Sequence, residues 1–142
     1  MGIVMVKVRL ANFTDLQNLK QRRIEPEAVR SLEIEALVDT GAIALAIPEE
    51  LAEALGVDVI GIDTVRVADG RTLDVAIVGG LYIEVLGRSM TGDALVLPRG
   101  TKPLLGAIQL EMLDLVVVPK TGVVITNPEH PNGRVLPLLR AS

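Results

Sequence analysis

The chain has 142 residues, 49% of them hydrophobic, yet only one Phe, one Tyr and no Trp, so its core must be built from Val, Ile, Leu and Ala. Its length suits one domain with a sizeable core. Fourteen basic against eighteen acidic residues give a net charge of −4, and there is no cysteine; with no basic stripe interleaved with aromatics, this excludes a general nucleic-acid binder, disulfides, thiol nucleophiles and zinc knuckles.

Residues 2–10 predict a first strand, with Val4, Val6 and Val8 on one face and Lys7 and Arg9 on the other. The opening residues lack a signal-peptide pattern, and Val6 sits where a myristoylation signal wants Ser or Thr. No apolar run reaches the length of a membrane span, so the expectation is no membrane partner and a cytoplasmic location. From Asn12 to Glu27 the chain is polar and reads as a long surface loop with room for a helical turn, its basic residues Lys20, Arg22 and Arg23 solvated. In residues 29–38, Leu32, Ile34, Ala36 and Val38 alternate with Ser31, Glu33 and Glu35, a half-buried strand. Residues 43–47, Ile-Ala-Leu-Ala-Ile, suit a strand covered on both faces. Pro48 then opens a short helix over Glu49 to Leu55, with acidic residues at its positive end and Gly56 to close it.

Residues 64–86 predict a long hairpin whose tip is the two-residue turn Asp69-Gly70. Its return strand is interrupted by Gly79-Gly80, the pattern of a bulge. Ala94 to Leu97 and residues 115–118 are further apolar strands, each ended by a proline, with a helical stretch from Ala107 to Leu113 between them. The tail adds the apolar stretches Val123-Val124-Ile125 and Val135-Leu136, joined by a polar loop in which His130 reads as solvated; one histidine makes no metal site. Short strands dominate, so the chain reads as a mainly-β, closed or nearly closed barrel.

The stretch Leu37-Val38-Asp39-Thr40-Gly41-Ala42 stands apart, because an alternating apolar run delivers a carboxylate and then resumes at once. Burying a carboxylate is costly unless it has partners. Asp39 is therefore either a structural aspartate capping a turn or a chemical group, and D-T-G alone does not decide between them.

Four features occur in a fixed order: an apolar strand into Asp39-Thr40-Gly41-Ala42, a hairpin with the tip Asp69-Gly70, the strand Leu81-Tyr82-Ile83-Glu84-Val85-Leu86-Gly87, and Leu104-Leu105-Gly106 before a helix. The ordered set resembles the retropepsin-like aspartic proteases, single-domain relatives of pepsin, over about residues 29–119, whereas residues 1–28 and the tail from Lys120 look more like bacterial and archaeal members. The resemblance implies a mainly-β fold, a closed retropepsin-like (acid protease) β-barrel with one or two short helices, in a two-fold symmetric homodimer. It implies one domain over residues 1–142, with a core at about 29–119 and a C-terminal extension at 120–142. Asp39 would be catalytic, supported by Thr40, Gly41 and Ala42, with Thr40 bonding across the dimer axis. Ala68, Asp69, Gly70 and Arg71 would form a flap over the substrate, and Leu104, Leu105 and Gly106 a structural element near the site. No cofactor and no metal is implied.

The chain carries one D-T-G where pepsin-like chains carry two, so Asp39 would find its partner carboxylate in a second subunit. Residues 3–8 and 115–118 are the candidate interface strands, and the high apolar fraction fits a covered surface. Val38, Ile43, Leu45, Val67, Leu104 and Leu105 are the expected pocket walls, favouring apolar side chains beside the scissile bond. The chain departs from the retroviral pattern at Ile43 and Ala107, where those enzymes carry a paired acid and arginine. The function expected from the resemblance is thus an aspartic endopeptidase acting on peptides or proteins. The alternative is a proteolytically silent dimerisation or peptide-binding module that keeps the barrel, and an unrelated small β-barrel is the third reading.

Overall fold

A computed structural model describes residues 2–138. In chain order the elements are β1 (Met5–Asn12), α1 (Phe13–Lys20), β2 (Ser31–Val38), β3 (Ala46–Pro48), α2 (Glu49–Leu55), β4 (Val59–Arg66), β5 (Thr72–Val85), β6 (Arg88–Leu97), β7 (Leu104–Leu105), α3 (Ala107–Met112), β8 (Leu115–Val118) and β9 (Val123–Thr126). Valine alternation sets the first of these. Val6, Val8 and Leu10 point inward and are buried, while Lys7 and Arg9 point out. β1 runs antiparallel to β2, with Val8 opposite Ile34, and its second half also pairs with β5, with Leu10 opposite Ile83. That double pairing closes β1-β2-β7-β3-β6-β5 into a six-stranded barrel, with β4 extending beyond β5 and β8–β9 forming a separate ribbon. The largest fully buried side chains are Leu10, Leu45, Ile47, Leu55, Leu81, Ile83, Leu105 and Leu113. The core is therefore aliphatic, as the composition requires.

The fold is mainly β with a closed barrel, but it has three short helices where one or two were expected. Two expected features are local and hold. α2 spans Glu49–Leu55 and ends on Gly56 at φ 63°, and the β5–β6 register shifts between Val78 and Leu81, where Gly80 takes φ 79°. Gly79 lies so close to the Ile60 side chain that a Cβ there would stand 2.9 Å from it. Among the described residues, no helix is long and apolar enough to cross a membrane.

The expected loop over 12–27 is corrected by α1. Asn12 caps this helix by accepting the Asp15 N–H through Oδ1 at 3.0 Å, while its Nδ2 donates to the Leu55 carbonyl at 2.9 Å. Asp15 is buried and takes a two-pronged contact from Arg30, Nε at 2.8 Å and Nη2 at 3.0 Å, plus the Arg30 backbone N–H at 3.0 Å. The hydrogen bonds from Arg30 hold the Asp15 carboxyl below the ordinary aspartate range, against burial, which raises it. One cap and one ion pair thus lash α1, the following loop and the end of α2 together. Asp15→Ala leaves the Arg30 groups unpaired and is expected to cost about 2 kcal/mol, measured as a lower urea midpoint at unchanged m-value.

His130, expected to be solvated, is instead half-buried against Asp114. Asp114 sits at φ 54° between α3 and β8, and its carboxylate accepts Asn127 Nδ2 at 3.0 Å and the Val135 N–H at 3.0 Å, with His130 Nδ1 beside it. Arg88, also buried, donates to the carbonyls of Leu113, Asp114 and His130. The Val135 backbone is therefore held as part of a latch; residues 139–142 lie outside the described residues. The Val135 N–H and then the Asn127 amide lower the Asp114 carboxyl to about 2. A carboxyl depressed in the folded state stabilises it above the unfolded value of 3.8, and that contribution disappears as pH falls towards about 2. Protection of the amides within residues 127–135, measured relative to their intrinsic exchange rates, is expected to fall as pH drops through this window in wild type. Asp114→Asn should remove the pH dependence, and an unchanged profile in that variant would assign it to other groups.

Candidate active site

β2 carries Asp39 to the mouth of the barrel. β2 pairs parallel to β7, with Leu37 opposite Leu104 and Val38 opposite Leu105. The Val38 N–H donates to the Val4 carbonyl at 2.8 Å, and the Asp39 N–H donates to the Leu105 carbonyl at 3.0 Å. The aspartate's backbone is therefore fixed by both neighbouring strands. The chain then turns on its own side chain: Asp39 Oδ1 accepts the Gly41 N–H at 2.9 Å, and the Ala42 N–H donates to the Asp39 carbonyl at 3.1 Å. This is an Asx turn, in which a short carboxylate replaces a backbone acceptor. A Cβ on Gly41 would stand 3.2 Å from Oδ1, so a side chain there crowds the carboxylate.

The loop is closed from above by Gly106 and α3. The Ala107 N–H donates to the Ala42 carbonyl at 2.8 Å and the Ile108 N–H to the Ile43 carbonyl at 3.0 Å. This corrects the strand expected over 43–47. Residues 42 and 43 give their carbonyls to a helix start, and β3 begins only at Ala46. Gly106 makes that approach possible, because a Cβ there would lie 2.6 Å from Ala44 N, 2.7 Å from Ala44 O and 2.8 Å from Ala42 O.

Asp39 opens into a cleft of about 770 Å³ between this loop and the β4–β5 hairpin. Of the expected walls, Ile43, Val67 and Leu104 line it; Leu45 and Leu105 lie in the core, and Val38 packs against it. Of the expected site residues, Asp39, Gly41, Ala42, Ala68 and Leu104 line the cleft, and Thr40 is exposed beside it. Asp69, Gly70 and Arg71 stand beyond it. The tip is a three-residue loop instead of the expected two-residue turn. Val67 N–H donates to the Arg71 carbonyl and Gly70 N–H to the Val67 carbonyl, both at 2.9 Å, and Gly70 takes φ 90°. Asp69 turns back onto Arg71, whose Nε lies 2.6 Å from Oδ2.

The hairpin instead offers the cleft its Thr64–Ala68 arm, and Ala44, Ala46, Leu95 and Leu97 complete the walls. The alternation of Val65 and Val67 was the available sign of the first. Leu95 and Leu97 lie in an unbroken apolar run that does not betray which face meets the cleft. Asp39 is the single carboxylate lining this cleft among the described residues, and among them no three His, Cys, Asp or Glu side chains come together as a metal site.

Residues 27–108 match the sequence profile of a family described as aspartyl protease, a span that holds Asp39, the hairpin and Gly106. No curated protein matches the chain by sequence.

Proposed function

The chain belongs to the aspartyl protease family, of the retropepsin-like type, and from that premise we propose that it is an aspartic endopeptidase whose active unit is a homodimer. The observation that carries this reading is the lone, turn-fixed Asp39 facing an apolar cleft. Metal-free amide hydrolysis needs a base for water and an acid for the leaving nitrogen. Two facing carboxylates that share one proton supply both, because like charges at that range do not ionise together. One chain brings one, so a symmetric second copy brings the other.

In the proposed reaction the ionised Asp39 takes a proton from water as its oxygen attacks the carbonyl carbon, while the protonated Asp39 hydrogen-bonds the developing oxyanion. Collapse of the tetrahedral intermediate breaks the C–N bond as the amine nitrogen takes a proton from the pair. The β4–β5 hairpin acts as a flap, its Thr64–Ala68 arm covering an extended peptide bound as an added strand. Support for the dimer comes from apolar side chains left in water. Ile3 is 78% exposed and Val123 45%, with Val116 and Ile125 also open, and residues 5–8 of β1 pair with β2 alone. At Ile43 and Ala107 the active-site loop is held without a charge pair, because the Ala107 N–H donates to the Ala42 carbonyl.

The test is cleavage of a proteome-derived peptide library from acidic to neutral pH, with sedimentation to establish the dimer. Cuts between apolar residues, absent in Asp39→Asn, are expected. A confirmed dimer that cuts nothing at any pH supports the silent peptide-binding module instead, and cuts confined to charged residues contradict an apolar cleft.

A further inference from the structure

Beside the Asp39 cleft lies a second groove of about 430 Å³, and the two share Ala44 and Leu95 as a common wall. We propose that this groove is a subsite for a basic side chain of the substrate, a lysine or arginine held by Asp63, Asp93 and Gln109; the proposal rests on the peptidase reading for the peptide that fills it.

Three observations converge. The first is charge. Asp63 on β4 and Asp93 on β6 line the groove and are exposed, and among the described residues neither is in an ion pair, so both carboxylates are open to a cation. The second is Gln109. It lines the groove from α3, is only 3% exposed, and its Oε1 has no hydrogen-bond partner. A buried acceptor without a donor is a standing cost that native structures rarely carry without a reason. An arriving ammonium or guanidinium has several N–H groups and no acceptor, so it can satisfy the two carboxylates, and Oε1 with them once the Gln109 amide, shielded from solvent at rest, turns into the groove. The third is the apolar lining, with Ile77, Met90 and Met112, which suits the methylene stem of a long basic side chain. An acidic side chain would meet two like charges, and a plain aliphatic one would leave Gln109 unpaired.

Arg134, a cation of the chain at the rim of the groove, does not fill this role. Arg134 donates from Nη1 to the carbonyls of Ser89 and Met112, at the rim next to Met90 and Met112, and it has no ion pair with Asp63 or Asp93. The shared wall of Ala44 and Leu95 makes the groove a neighbour of the cleft, so the lysine is scanned through every position near the scissile bond.

The test uses peptides with one apolar cleavage site and either lysine or norleucine, its uncharged analogue, at each of the four positions on either side. For wild type, kcat/KM is expected to be about tenfold higher with lysine at one of these positions, the size expected of two partly exposed ion pairs and a hydrogen bond. That ratio should fall close to one in Asp63→Asn/Asp93→Asn. It should fall about threefold in Gln109→Leu, a volume-conserving change that removes the unpaired oxygen and so does not lower Tm. A wild-type ratio near one at every position, or a full ratio in the double variant, overturns the subsite. The same peptides are also titrated onto Asp39→Asn by fluorescence anisotropy. If wild type cleaves none of them but the lysine peptide binds about tenfold tighter, the peptidase reading falls and the subsite stands; equal binding of the two overturns the subsite by itself.

Discussion

Asp39→Asn is expected to lower kcat by at least about 10⁴-fold, because in the proposed symmetric dimer one substitution would remove both the base and the acid, each worth about 10²–10⁴. The fold should survive intact. The side chain of Asp39 makes one contact in the turn, as acceptor for the Gly41 N–H, and the amide oxygen of asparagine accepts the same bond. The proposed dimer should tighten by several-fold at neutral pH, because two facing carboxylates must take up a proton to come together and two amides need not. Loss of activity with a weaker dimer would point to a structural aspartate.

Subunit mixing sharpens the same prediction. When wild-type and Asp39→Asn chains are mixed in equal amounts and exchange freely, roughly a quarter of the dimers carry two aspartates under the two-fold assembly rule. If both carboxylates are needed, activity per wild-type chain halves. If each subunit works alone, it is unchanged. The experiment separates a shared site from two independent ones without depending on the peptide chosen, because substrate preference cancels in the ratio.

What could be read from the residues depended on how far each decision reaches along the chain. α2 was legible because Pro48, Glu49, Glu50 and Gly56 act within one or two turns of themselves, and β1 and β2 were legible because their period of two survives tertiary context, whereas the unbroken apolar run at 43–47 carried no such period and was misplaced. The Asp39 turn was legible only as part of an ordered set, since its Asx geometry is local but its meaning depends on Gly106, some sixty-odd positions away on the chain. Non-local pairs were hidden. Nothing near Asn12 announces that its amide reaches Leu55, or that Asp15 meets Arg30, so α1 was lost in a polar stretch. His130 looked solvated because Asp114 and Arg88, which hold it, belong to other elements. Gln109 was read only as part of a helical stretch, since a polar residue on a short helix gives no sign that its oxygen is buried without a partner.

Gly106→Ala is the second change with a large expected effect. Gly106 takes φ −97°, which any residue can adopt, so the demand for glycine here is one of space and not of backbone conformation. The three atoms that a Cβ would meet, at 2.6, 2.7 and 2.8 Å, all belong to the backbone of Ala42 and Ala44. No rotamer change relieves such a contact, so the Asp39 loop and the start of α3 must move apart. The bonds most exposed to that shift are Ala107 N–H to Ala42 and Ile108 N–H to Ile43, and through Leu105 the one that anchors the Asp39 amide. We expect a cost of about 3 kcal/mol in urea unfolding, at the upper end of overpacking because hydrogen bonds are lost with it. The surviving folded protein should lose roughly 10²-fold in the proposed peptidase kcat, the size of effect that an ångström of misplacement produces. Gly70→Ala is the control, at a hairpin tip where a Cβ meets nothing within 4 Å but φ is 90°. Strain alone should cost it about 1 kcal/mol, with Asp39 left in place. If Gly106→Ala were no worse than Gly70→Ala in both stability and kcat, the loop would be held by something other than this close approach, and the rigid placement of Asp39 would need another cause.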